Sequence, residues 1–203
     1  MAGGRQEDMP IVNGQIDPAV CARCAQGGST CCKLAPGQED LCFPVSEIER
    51  QRMVEFGPKL GGLTGAPNSK SFLDNLMRLF PNDRAHLVRL FPGHGEHLRL
   101  ATHPDGRCTF LGPAGCALAR EIRPYYCRLF PFWVSAGAVT AFEPRQCLAS
   151  AEGRTARKML ALLAMNRTLV FELHGRMRMA WGMAPGRIGE EPGRMPAKVE
   201  NNA

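Results

Sequence analysis

Two stretches decide how this chain reads: Cys21-Ala-Arg-Cys24-Ala-Gln-Gly-Gly-Ser-Thr-Cys31-Cys32, and Cys116-Ala-Leu-Ala-Arg-Glu-Ile-Arg123-Pro124-Tyr-Tyr-Cys127-Arg128-Leu-Phe-Pro131-Phe132. The chain has nine cysteines in 203 residues, too few for a disulfide scaffold and an odd number for full pairing. They are gathered. Cys21, Cys24, Cys31, Cys32 and Cys42 form one group, and Cys108, Cys116, Cys127 and Cys147 another. Two cysteines separated by two residues can turn both sulfurs toward one ion, a spacing shared by zinc knuckles and iron–sulfur loops. A thioredoxin-like redox pair shares it too, but no strand-then-helix context accompanies it here. Adjacent Cα atoms are about 3.8 Å apart, so the Cys31 and Cys32 sulfurs are expected to serve different roles rather than one ion. A vicinal disulfide is the strained alternative.

Cys108 is predicted on a strand and Cys116 at a helix start. Cys127 is predicted in the first turn of a helix opened by Pro124, where the helix dipole and Arg128 should favour its thiolate. Cys147 follows a hairpin and can fold back. The expected metal set is therefore Cys21, Cys24, Cys31, Cys32, Cys108, Cys116, Cys127 and Cys147, as one centre or two, with Cys42 accessory. Four thiolates suit zinc and an iron–sulfur cluster, a 4Fe–4S form included, and spacing does not choose between them. His94 and His97 could ligate, but a solvated loop explains them more simply. No catalytic Ser-His-Asp order, phosphate loop or dinucleotide fingerprint is present.

Composition sets the background. Hydrophobic residues are 44% and charged residues 22%, an ordinary globular balance for one domain. The N-terminus has no apolar core and carries Glu7 and Asp8, so no secretory leader is expected. No apolar run is long enough to span a membrane. A cytoplasmic setting with reduced thiols follows as the expectation. The net charge of +6 would ordinarily suggest a polyanion. Thiolates bound to metal would absorb part of it, so nucleic acid is not the expected partner.

Local signals fill in the rest. Residues 1–16 and 183–203 read as loose tails, leaving a cysteine-cluster domain over 17–182. Ser46-Glu47-Ile48-Glu49 is a capping box that opens a helix to Phe56, followed by a flexible glycine-rich loop to Pro67. A helical insertion covers 66–92, with helices from Ser71 to Phe80 and from Asp83 to Phe91. His97–His103 and Arg107–Leu111 are predicted to pair around Pro104-Asp105-Gly106, and a short helix to run through Ile122. Phe132–Ser135 and Ala138–Phe142 form a second hairpin. One long helix is predicted over about 150–181, a stripe of Leu160, Leu163, Val170, Leu173, Met177 and Trp181 serving the core or a protein partner. The fold expected is α+β and mainly helical, with short β-hairpins and a long C-terminal helix. Arg-Leu-Phe-Pro recurs at residues 78–81, 89–92 and 128–131, too briefly to make a solenoid.

With these residues in view, the chain resembles the YkgJ-type cysteine-cluster family, described as zinc- or iron-chelating proteins. The likeness covers about residues 17–148 and rests chiefly on Arg123-Pro124-x-x-Cys127-Arg128-x-Phe130-Pro131-Phe132. The longer gap between Cys24 and Cys31 is more similar to the related flagellin lysine N-methylases. The resemblance implies metal binding in metal handling or electron transfer, with a methylase-like protein modifier as the alternative. It implies Arg123 and Arg128 as supports of the ligands, and Phe130 and Phe132 as their screen from water.

Overall fold

The computed structural model describes residues 19–27, 30–57, 62–142 and 147–186. The fold is α+β: short helices packed around small antiparallel strand pairs. Helix α1 (Ala19–Gln26) carries Cys21 and Cys24. Helix α2 (Glu47–Phe56) begins at the expected capping box, in which Ser46 and Glu49 exchange backbone and side-chain bonds. Next come β1 (Leu63–Pro67), α3 (Lys70–Leu79), α4 (Arg84–Leu90) and β2 (Glu96–Leu100). The cysteine-bearing middle holds β3 (Leu111–Gly112), β4 (Gly115–Cys116), α5 (Tyr125–Leu129), β5 (Phe132–Ser135) and β6 (Ala138–Ala141). Helices α6 (Leu148–Gly153), α7 (Ala156–Leu162) and α8 (Arg167–Ala180) complete the order.

Several expectations are met by the physics that motivated them. Strands β5 and β6 pair from Phe132↔Ala141 to Ser135↔Ala138, turning through Ala136 and Gly137 at φ 48° and 73°. Phe80 and Phe91, each ahead of a proline, close α3 and α4 with their N–H groups bonded to Leu76 and Leu87 carbonyls. A residue before proline is disfavoured in the helical region, so the two stops share a cause.

Others are corrected. The glycine-rich segment expected to be a loop contains β1, paired in register with β2 from Leu63↔Leu100 to Pro67↔Glu96. The hairpin expected around Pro104-Asp105-Gly106 forms in short: a bridge Thr102↔Cys108 with His103 N–H donating to the Arg107 carbonyl and Thr109 N–H to the Ala101 carbonyl, while β2 takes β1 as its strand partner. Cys116 lies on β4 opposite Leu111, not at a helix start, and residues 117–123 form turns. The single C-terminal helix is three helices. Arg154 and Ala164 adopt φ of 55° and 47°, which no α-helix accommodates, and Thr155 and Asn166 cap the helices that follow. Its stripe faces inward: Leu160, Leu163, Val170, Leu173 and Met177 are all buried.

One large apolar cluster draws on every helix but α2 and on the β5–β6 hairpin, including Phe72, Leu76, Phe80, Leu87 and Phe91 from the segment read as an insertion. That segment is thus part of the core. Met183, assigned to the C-terminal tail, is buried in the same cluster, and Arg178 Nε donates to the Ala184 carbonyl at 2.6 Å. The remaining tail residues, 187–203, and the N-terminal 1–16 lie outside the described residues. A second, smaller cluster joins Val45, Met53, Phe110 and Leu118, with Cys108 and Cys116 packed against it. Among the described residues, no helix is long and apolar enough to cross a membrane.

Candidate metal centre

The two cysteine groups, far apart in sequence, are stitched together by backbone. Lys33 bridges Arg107, Leu34 N–H donates to the Gly106 carbonyl at 3.0 Å, and Cys108 N–H donates to the Cys32 carbonyl at 2.8 Å. Gly106 makes this possible: at φ 82°, a Cβ would overlap the Leu34 carbonyl oxygen. On the other side α1 packs against β4 and α6. A Cβ at Gly115 would stand 3.6 Å from Ala22 Cα, so β4 runs close beside the Cys21 turn. Cys147 caps α6, its carbonyl accepting from Ser150 and Ala151.

The sulfurs mix accordingly. Cys31 is hydrogen-bonded to Cys32, and the charges of Cys147 and Cys21 also bear on it. Around Cys127 the neighbouring charges are Cys32, Cys116 and Cys108, with Glu49 behind them. Cys108 lies within reach of Cys32, Cys116 and Cys42. The charges that bear on Cys31 come from Cys32, Cys147 and Cys21, and those on Cys127 from Cys32, Cys116 and Cys108, so each set draws on both sequence groups and both include Cys32. Cys24 lies on α1 one turn from Cys21, half-buried like it.

Every resolved shift pushes a thiol up. Cys31 rises well above its ordinary range, first through the bond to Cys32 and then through burial. Burial leads for Cys108, raised to about 11, and for Cys42 and Cys127. The thiolate expected at Cys127 from its helix and from Arg128 is therefore not favoured: desolvation and neighbouring sulfurs outweigh both in a helix of five residues. Cys31 and Cys127 keep part of their surface open to solvent, while protein surrounds most of each sulfur.

The supports of the site are plain. Glu49, 2% exposed, accepts from Ser46 N–H at 2.8 Å, Ser46 Oγ–H at 2.5 Å and Tyr125 N–H at 2.6 Å. It thereby joins the start of α2 to the start of the helix that bears Cys127. Arg123 is buried and donates to the Leu118 and Cys116 carbonyls, holding the turns after β4. Burial, then the positive charges of Arg52, Arg120 and Arg176, hold the Arg128 guanidinium below its ordinary range. Phe132 belongs to the main core, whereas Phe130 stacks toward Tyr126 and Phe142.

Sequence reasoning set Cys42 aside as accessory and did not weigh Tyr126. Burial and the charges of Cys127, Cys31 and Cys42 push the Tyr126 phenol up to about 12, and its ring stacks on Phe43 at 4.6 Å. Arg99 hydrogen-bonds Cys42. Tyr126 stands beside Cys127 in the quoted string, and that adjacency was the available signal. His97 is no ligand candidate: it is buried, stacked on Phe72 at 3.6 Å and bonded to Asn68.

No protein family, curated protein or solved structure matches the chain. Among the described residues, no group of three or more Cys, His, Asp or Glu side chains is set to hold a metal ion. Thiols are donors whose chemistry fits a thiophilic metal.

Proposed function

We propose that this chain is a thiolate metalloprotein that holds zinc or an iron–sulfur cluster, acting in metal handling or electron transfer. The observation that carries the reading is the mixing of two distant cysteine groups into sets that both include Cys32. Independent core cysteines have no reason to gather; thiols that must share an inorganic centre do. The residues that would hold it are Cys21, Cys24, Cys31, Cys32, Cys108, Cys116, Cys127 and Cys147. Cys42 joins them as a neighbour of Cys108 and Tyr126. The likeness of the Arg123–Phe132 string to the YkgJ-type family is a second support. Zinc would supply structure or Lewis acidity; a cluster would supply a one-electron couple.

Anaerobic purification with metal analysis, sulfide assay and a visible spectrum tests the proposal. The expected result is stoichiometric zinc in a colourless protein, or iron and acid-labile sulfide in a brown one. Because Cys32 belongs to both sets, Cys32→Ser should lose more than half of the bound metal. Protein that takes up neither zinc nor iron and sulfide after reduction and reconstitution overturns the proposal.

A further inference from the structure

Beside Cys127 the surface dips into a recess of about 30 Å³ whose walls include Cys21, Arg120, Arg123, Cys127, Arg128 and Phe130. Three arginines and two cysteines line it, and no carboxylate is among the described lining residues. The positions of the guanidiniums are fixed from behind. Arg120 donates to the Leu163 carbonyl at 2.8 Å, and Arg123, 8% exposed, to the Leu118 carbonyl at 2.8 Å. Arg128 is held differently. It reaches the Glu121 carbonyl only at 3.4 Å, and its buried Nε has no hydrogen-bond partner among the described residues.

Behind the recess Arg52 lies over the Tyr125 ring at 4.6 Å and Arg128 at 5.9 Å from the same ring. Arg52 Nε is likewise buried without a partner. Arg176, the next charge bearing on Arg128, pairs with Glu172 at 2.6 Å. Glu121, one residue from Arg120, leaves its buried Oε1 unbonded. Clustered guanidiniums repel one another, and a buried N–H without a partner carries an unrecovered desolvation cost. An oxyanion relieves both penalties, since the planar guanidinium matches carboxylate and phosphate geometry.

We propose that this recess is an oxyanion site in which Arg128, with Arg120 and Arg123, takes the oxygen end of a carboxylate- or phosphate-bearing ligand. A water's share of liquid volume is about 30 Å³, so the recess admits an oxygen and not a whole phosphate. The body of the ligand stays outside, beside the exposed face of Cys127. The site goes beyond the metal reading and does not depend on it. A thiolate–metal centre, with net charge near −2 for four thiolates on zinc, is the competing claimant on the same arginines.

Calorimetric titration of the full chain with inorganic phosphate and with acetate, against sodium chloride at equal ionic strength, tests the site. Both the protein as isolated and the protein after metal removal are titrated. One-to-one saturable binding is expected, weakened at least tenfold by Arg128→Gln and less by Arg128→Lys. Phosphate binding tighter than acetate identifies a phosphate-bearing ligand, and the reverse a carboxylate. Circular dichroism checks that the variants fold, and Arg120→Gln replaces Arg128→Gln if the latter does not. Glu121→Gln should leave binding equal or tighter. No saturation beyond the chloride control, or equal binding by Arg128→Gln, overturns the proposal. So does binding confined to metal-free protein, which assigns the arginines to the thiolates. Anion binding by a protein that takes up no metal keeps the oxyanion site and removes the metal reading.

Discussion

At the scale of single residues, Glu49 concentrates the most structure. Its carboxylate serves two helix starts, and only the nearer one was legible, because a capping box is local whereas Tyr125 lies far along the chain. Glu49→Ala would strand buried N–H donors at both places. The expected loss is about 3–5 kcal/mol by urea denaturation, the range for breaking a buried charged network. The buried histidines make a second residue-scale prediction. Burial, then Arg99 for His97 and Arg178 for His174, lowers both rings to about 4. The unfolded rings titrate near 6.5, so below that pH the unfolded chain binds more protons than the folded one. Their contribution is complete above pH 6.5 and is lost as the pH falls toward 4, by up to about 3 kcal/mol each. Denaturation measured across pH 4–7 should show this acid limb, and His174→Leu should flatten it.

At the scale of elements, what could be read was what chemistry near in sequence decides. The capping box at Ser46, the phenylalanine–proline stops of α3 and α4, and the β5–β6 hairpin all depend on neighbours within a few residues. Strand β1 was hidden by its glycines and by a partner beyond two helices; its pairing with β2 is a tertiary choice. The C-terminal breaks were hidden because Arg154 and Ala164 are ordinary helix formers that here adopt left-handed backbone. Thr155 and Asn166 were the local clues, since both are good caps. The turn at Gly106 carries an element-scale prediction. Gly106→Ala puts a methyl into the Leu34 carbonyl, so the strip from Cys32 to Leu34 must part from the turn. A destabilisation of about 1–3 kcal/mol is expected. Faster reaction of Cys32 with a thiol reagent should accompany it.

Across the whole molecule, spacing gives a list of cysteines but not how the fold distributes them. Spacing picked out the cysteines, yet it sorted them by nearness in sequence, with Cys42 set aside. In the fold the charge of Cys147 bears on Cys31 and that of Cys32 on Cys127, across the two sequence groups. Burial also reverses the expected acidity of Cys127, which neither its helix nor Arg128 rescues. On the metal reading, loading would be proton-coupled, since metal would replace protons that the raised thiols retain, and uptake should strengthen with rising pH. Loading should also stabilise the whole chain, by about 2.7 kcal/mol when free metal is a hundred times its Kd. Calorimetric scans with and without a chelator would measure that gain, and an unchanged Tm would count against a shared centre.

The backbone seam between Cys32 and Cys108, and the seating of α1 against β4 and α6, join residues far apart in the chain. On the proposed metal reading, the set of sulfurs would be complete only once Cys147 had left the ribosome, and a donor acting earlier would meet an unfinished set of thiols.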